Sequence, residues 1–227
     1  MQAAETNSLA GRARGLARRL QVPHLLEQFP ARRVWAVFMF INGFVIIALL
    51  ALVAMLTRTP FVFPSLGPTA ILFFVTPLSP TASPRNSIFG HAIAIACGYG
   101  SLCLFGLQHA GPAMIEGVTG PRIFAVALSL AATGALMLLL RSAHPPAGAT
   151  TMIISLGVIT HPLHLVLIEL AVAVLVVQAI VMNRLAGIDY PLWSNLAKPA
   201  LDVPYFQPET DSRVGGGNHE HSSPGVD

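Results

Sequence analysis

Four stretches of this chain, residues 34–56, 87–108, 123–140 and 163–182, contain no proline, no Lys or Arg, and a single acid, Glu169. Crossing a bilayer as a helix takes about 20 apolar residues, and each stretch comes close to or exceeds that length. Hydrophobic residues make up 54% of the chain and charged residues only 10%. A soluble domain carries about 25% charged residues. The chain cannot cover its surface with charge, so lipid must cover part of it. The expected fold class is an all-α membrane protein.

The charges that exist are unevenly placed. Arg12, Arg14, Arg18, Arg19, Arg32 and Arg33 precede the first apolar run, against Glu5 and Glu27. Such a basic arm marks the cytoplasmic side by the positive-inside rule. With no folded basic module after it, it does not point to nucleic acid. The first apolar run is longer than the core of a signal peptide, about 7–15 residues, so an uncleaved span is expected. Cys97 and Cys103, six residues apart, do not share a helix face. No disulfide is expected between them, and both read as small packing residues. The organisation is then a basic cytoplasmic arm at 1–33, a transmembrane domain at 34–182, and an interfacial segment with a disordered tail at 183–227. Tyr190 and Trp193 suit the interface belt, and the tail carries His219 and His221.

Two further apolar stretches, 60–76 and 145–160, open with Pro and Gly and are slightly short for a straight span. A shift of 81 positions places Pro64 on Pro145, Gly67 on Gly148 and Thr69 on Thr150. Each half, about 34–108 and 123–182, reads long span, broken short segment, long span. This suggests an internal duplication. If the short segments cross, each half has an odd number of crossings and the halves are inverted, a common transporter plan. The distribution of arginines favours six crossings over four, with both termini inside. The glycines of the second run, Gly90, Gly98, Gly100 and Gly106, read as helix-packing positions. Asn42 and Gln178, inside spans, are expected to hydrogen-bond between helices.

The short segments carry the chemistry. A helix that begins within the membrane has four N–H groups without intrahelical partners, and these carry the positive end of its dipole. Such a start is an anion site made of backbone. Proline fits the first turn, glycine permits close approach, and Ser or Thr can cap or touch a ligand. "PSLGPTAI" and "HPPAGATTM" have this make-up. The expected substrate-binding residues are Ser65, Gly67, Thr69, His144, Gly148, Thr150 and Thr151. Glu169 and His91, ionisable residues within spans, are the expected ion-coupling pair. There is no G-x-S-x-G, H-E-x-x-H, phosphate loop or metal-ligand cluster, so no enzyme, metal or cofactor is expected.

At "FPSLGPTAILFF" and "AHPPAGATTMIISLG" the chain resembles the HPP family of integral membrane proteins, whose His-Pro-Pro motif is here His144-Pro145-Pro146. The likeness runs from about residue 31 to 196. Plastid and cyanobacterial relatives are implicated in nitrite transport, so the resemblance implies a small-anion transporter. The family is commonly described with four spans, against the six crossings favoured above. The combined expectation is a secondary transporter of a small inorganic anion, nitrite first. It would sit in the bacterial inner membrane with lipid as its surroundings and a homo-oligomer left open. The rivals are a passive anion channel and a non-transporting membrane subunit.

Overall fold

The computed structural model describes residues 21–194. The start of the basic arm, with Arg12, Arg14, Arg18 and Arg19, and the tail, with His219 and His221, lie outside the described residues. Among these the fold is all-helical: α1 (Val22–Gln28), α2 (Ala31–Thr57), α3 (Leu66–Val75), a 3-10 turn (Pro80–Ala82), α4 (Pro84–Leu104), α5 (Ala113–Glu116), α6 (Gly120–Leu139), α7 (Ala147–Ser155) and α8 (Pro162–Leu185). Four of them, α2, α4, α6 and α8, are long and apolar enough to cross a membrane. They match the four expected runs but begin up to three residues earlier. In α4, α6 and α8 a proline sits in the first turn, where its missing N–H costs nothing. A reading that ends each span at its proline loses that turn. Helix α1 falls within the expected arm, where composition alone gives no periodic signal.

The short segments form half-length helices of 10 and 9 residues, about 15 and 14 Å long. They begin at Leu66 and Ala147, positions that coincide under the 81-residue shift. Non-helical chain with a turn at Pro64 and Ser65 leads into the first of them. The 27-residue α2 ends at Arg58 in the left-handed region, and α6 is followed by Arg141 in the same conformation. At the end of α6 the Ser142 N–H reaches back to the Met137 carbonyl. This is the closing turn that glycine usually makes at a helix end. The Arg85 guanidinium donates to the Arg141 carbonyl at 2.8 Å and to that of Leu140, so carbonyls at this end are satisfied.

Hydrogen bonds across the bundle fix which helix ends share a face. The Val22 N–H donates to Ala186 O, joining the approach to α2 with the exit of α8. The Arg85 N–H donates to Trp193 O, and the Arg85 side chain reaches the end of α6. The starts of α2 and α4 and the ends of α6 and α8 therefore lie at one end of the bundle, which we call the arginine-rich face. At the opposite end Arg122, only 2% exposed, donates to Ser155 O and Gly111 O, and Ala113 N–H donates to Leu156 O. Since α2 leaves the arginine-rich face and α4 begins on it, the segment carrying α3 brings the chain back. The segment carrying α7 likewise runs from the end of α6 to the opposite face.

Close packing is concentrated on α4, which lies against α6, α7 and α8. Its buried residues Gly90, Ala94 and Gly98 recur every fourth position, so one face of the helix lacks bulk. A Cβ on Gly90 would lie 2.7 Å from the His144 Cβ, and one on Gly98 would lie 3.0 Å from Ile154 and the Thr151 carbonyl. Small residues here let helix backbones approach. Gly100 faces open space and Gly106 lies beyond the helix, so only two of the four glycines have the expected packing role. The cysteines are free, as expected, but Cys103 is exposed rather than packed. Asn42 donates to Phe38 O of its own helix, and the buried Gln178 carbonyl oxygen has no partner among the described residues. Asn183, beyond the expected end of the last span, makes the inter-helix bond instead, to Phe73 O.

Tyr190 corrects the interface-belt expectation. It is fully buried, its ring 6.1 Å from Phe73, and its hydroxyl donates to Ala82 O. Burial pushes its phenol up, so the hydroxyl keeps the proton it donates. Trp193 is 51% exposed and packs edge-on to Phe89. Its exposure fits the belt.

The packing at Gly90 sets a first test. Gly90→Val should lower unfolding free energy by about 1–3 kcal/mol through overpacking against His144, read as a lower melting temperature in detergent. Gly100→Ala, where a Cβ meets nothing within 4 Å, should instead raise it by up to about 1 kcal/mol, because alanine favours a helix interior over glycine.

Candidate functional site

The starts of α3 and α7 meet at two histidines. Four side chains, Thr69, His91, His144 and Thr150, are each fully buried. Thr69 and Thr150 are both the fourth residue of their short helix, and they hold opposite nitrogens of one ring. His91 Nε2 lies 3.1 Å from the Thr69 hydroxyl, and His91 Nδ1 lies 2.8 Å from that of Thr150. The Thr69 oxygen also lies 3.2 Å from His144 Nε2 and 3.1 Å from Ser65 O. His144 Nδ1 donates to Thr81 O at 2.8 Å, with Ser87 Oγ at 3.3 Å. The two imidazole rings lie 5.1 Å apart at a 55° tilt.

The carbonyl of Thr81 can only accept, so His144 carries a proton on Nδ1. This polarises the rest of the cluster. With His144 neutral, its Nε2 needs a donor, and the Thr69 hydroxyl, having one proton, must choose between it and Ser65 O. With His144 doubly protonated, all the contacts are met at once. Thr69 then accepts from both rings and donates to Ser65 O, while Thr150 donates to His91 Nδ1. The cluster thus has a built-in place for one extra proton, reached by turning a single hydroxyl. A lone buried imidazolium is costly unless a negative charge joins it.

The site residues expected from sequence divide into three groups. Thr69, His91, His144 and Thr150 are brought together. Ser65 and Thr151 are fully buried beside them in sequence, each with a hydroxyl that has no partner among the described residues. Gly67, Gly148 and Glu169 stand apart from the hydrogen-bonded cluster. A Cβ on Gly67 would meet open space, and one on Gly148 would touch only Leu130 Cδ1 at 3.6 Å. The Glu169 carboxylate oxygens are buried without a hydrogen-bond partner among the described residues. The sequence reading missed Ser87, the Thr81 carbonyl and Arg122. Ser87 sits one turn before His91 on α4, a spacing that could have marked it. Thr81 acts through its backbone and leaves no side-chain signal. Arg122 is a buried clamp on the end of α7, where its charge faces the negative end of the helix dipole.

A bundle of four long apolar helices with a polar cluster at its centre defines an integral membrane protein. The chain matches the HPP transmembrane region over residues 28–191 and belongs to that family. It is also 34% identical over 120 residues to a transmembrane protein of Dictyostelium discoideum, a match covering 52% of this chain and 35% of that protein's length. No solved structure matches it.

The proton accounting can be measured directly. Nitrogen NMR of labelled histidines should find His144 protonated at Nδ1, with Nε2 bare at high pH. Thr69→Val should change the Nε2 resonances of both histidines and lower stability by about 1–3 kcal/mol, the cost of leaving buried polar atoms unpaired. Unchanged resonances would show that Thr69 does not link the rings.

Proposed function

We propose that this protein is a proton-coupled secondary transporter of a small inorganic anion, nitrite first among candidates. The observation that carries this reading is the Thr69 hydroxyl placed between two buried histidines where two helix starts meet. An anion arriving there meets the positive ends of two helix dipoles, and the same two helix starts carry the unpartnered hydroxyls of Ser65 and Thr151. A proton taken up by the cluster supplies the balancing charge, so each favours the other. Gly67 and Gly148 make no contact in the hydrogen-bonded cluster and stay in this reading as points of close approach on the two helix starts.

The fold is read as two inverted repeats. Under exchange of α2 with α6, α3 with α7 and α4 with α8, the packing pattern maps onto itself. Helix α4 packs on α6 and α7, α8 packs on α2 and α3, and α4 meets α8. Both third helices open with a proline in the first turn, Pro84 and Pro162. Counting from these prolines, His91 and Glu169 occupy equivalent positions, which keeps Glu169 as a coupling candidate for the opposite half-cycle. Six crossings follow, with the arginine-rich face cytoplasmic. A second reading, a non-transporting membrane subunit, draws on the fact that every imidazole nitrogen already has a partner inside the protein.

Purified protein in liposomes separates these readings. Nitrite uptake above that of protein-free liposomes should rise as the outside is acidified and approach about tenfold accumulation per pH unit of gradient, the value for one proton per anion. His144→Phe should abolish it. Uptake without pH dependence or exchange stimulation indicates a channel, and no uptake favours the subunit. For topology, single cysteines at Leu78 and Val118, both exposed, should label from opposite faces, Leu78 from the side of the N-terminus. Labelling of Leu78 from the other side would restore a four-crossing arrangement.

A further inference from the structure

A groove of about 470 Å³ runs between α1, the first half of α2 and the end of α8, away from the histidine cluster. Its walls are apolar, chiefly Leu25, Val37, Phe38 and Ile41, with Arg33 at one end and Asn42 at the other. Nine residues of helix separate those ends, about 13 Å. That is close to half of a hydrocarbon core about 30 Å thick. The groove therefore has the depth of one bilayer leaflet and a cation at the level where headgroups lie. The Arg33 guanidinium has no ion-pair partner among the described residues, whose one ion pair joins His24 and Glu27 on α1. Asn42, at the deep end, turns its amide N–H back onto Phe38 O, so the floor offers little to a polar ligand. The Val22 N–H bond to Ala186 O holds α1 across the mouth.

We infer that this groove is a binding site for an anionic phospholipid of the leaflet on the arginine-rich side, its phosphate on Arg33 and one acyl chain along Val37 and Ile41. Charge complementarity selects the headgroup, and groove length selects a chain anchored at the surface. A free phosphate would use Arg33 but leave the apolar walls bare. A zwitterionic lipid would fill the walls but keep its own countercharge beside Arg33.

The experiment is native mass spectrometry of the full chain, exchanged into detergent with equal amounts of phosphatidylglycerol and phosphatidylcholine. Wild type should retain one phosphatidylglycerol about fivefold over phosphatidylcholine, the selectivity that one basic side chain near the surface supplies. Arg33→Gln should bring the ratio to about one, and Arg33→Lys should keep most of it. Arg32→Gln removes the same charge one position away, outside the groove wall, and should leave the ratio unchanged. Ile41→Trp fills the groove while keeping Arg33, and should abolish retention of both lipids. Equal retention in wild type, an unaltered ratio in Arg33→Gln, or equal losses in Arg32→Gln and Arg33→Gln would overturn the assignment; the last would mean diffuse attraction by the basic arm. Retained lipid in Ile41→Trp would place it elsewhere.

Discussion

Unpaired backbone amides are the constraint from which this architecture follows. In hydrocarbon each unsatisfied N–H or C=O costs several kcal/mol, so helices that start inside a membrane need partners supplied by protein, water or ligand. Here the Ala147, Gly148 and Ala149 N–H groups at the head of α7 turn back onto the carbonyls of His144, Pro145 and Pro146, and at the head of α3 the Leu66 N–H turns onto that of Phe63. Thr69 Oγ joins the Ser65 carbonyl at the head of α3 to the ring of His144 before α7. Gly90 makes that arrangement sterically possible by leaving room for His144. Replacing either histidine with an apolar ring would fill the same volume but strand the hydroxyls around it.

The cluster has direction because one of its members cannot reverse. A carbonyl accepts and never donates, so the Thr81 contact sets the His144 tautomer, and the remaining bonds orient from that end. Buried polar networks of this kind are stable only when every member is satisfied. Here full satisfaction coincides with the addition of a proton to His144.

Much of the frame was legible in the sequence because it depends on pattern. Apolar run length gave four spans, and the proline and glycine punctuation gave both short helices and the shift that aligns their starts. That same shift paired Thr69 with Thr150, the two residues that grip His91. What stayed hidden depends on which way side chains face. Gly67 and Gly148 lie two residues before those threonines, and a two-residue step along a helix turns a side chain to nearly the opposite side. Tyr190 looked like an interface residue because its neighbours are polar, yet the chain folds back after α8 and buries it against Phe73. Nothing in the local sequence marks Arg122 for burial. Its backbone carbonyl partners, Ser155 and Gly111, come from parts of the chain no local pattern connects.

The partners of α4 and α8 have a bearing on how such a chain can fold. Helix α4 belongs to the first half but packs mainly on the second, and α8 belongs to the second half but packs on α2 and α3 of the first. The halves are interleaved, so neither encloses its own interior. A gene coding for only 34–108 would give a product whose third helix has lost its main contacts. The two halves therefore have to be made and folded together, because the last helix of each finds its packing surface in the other.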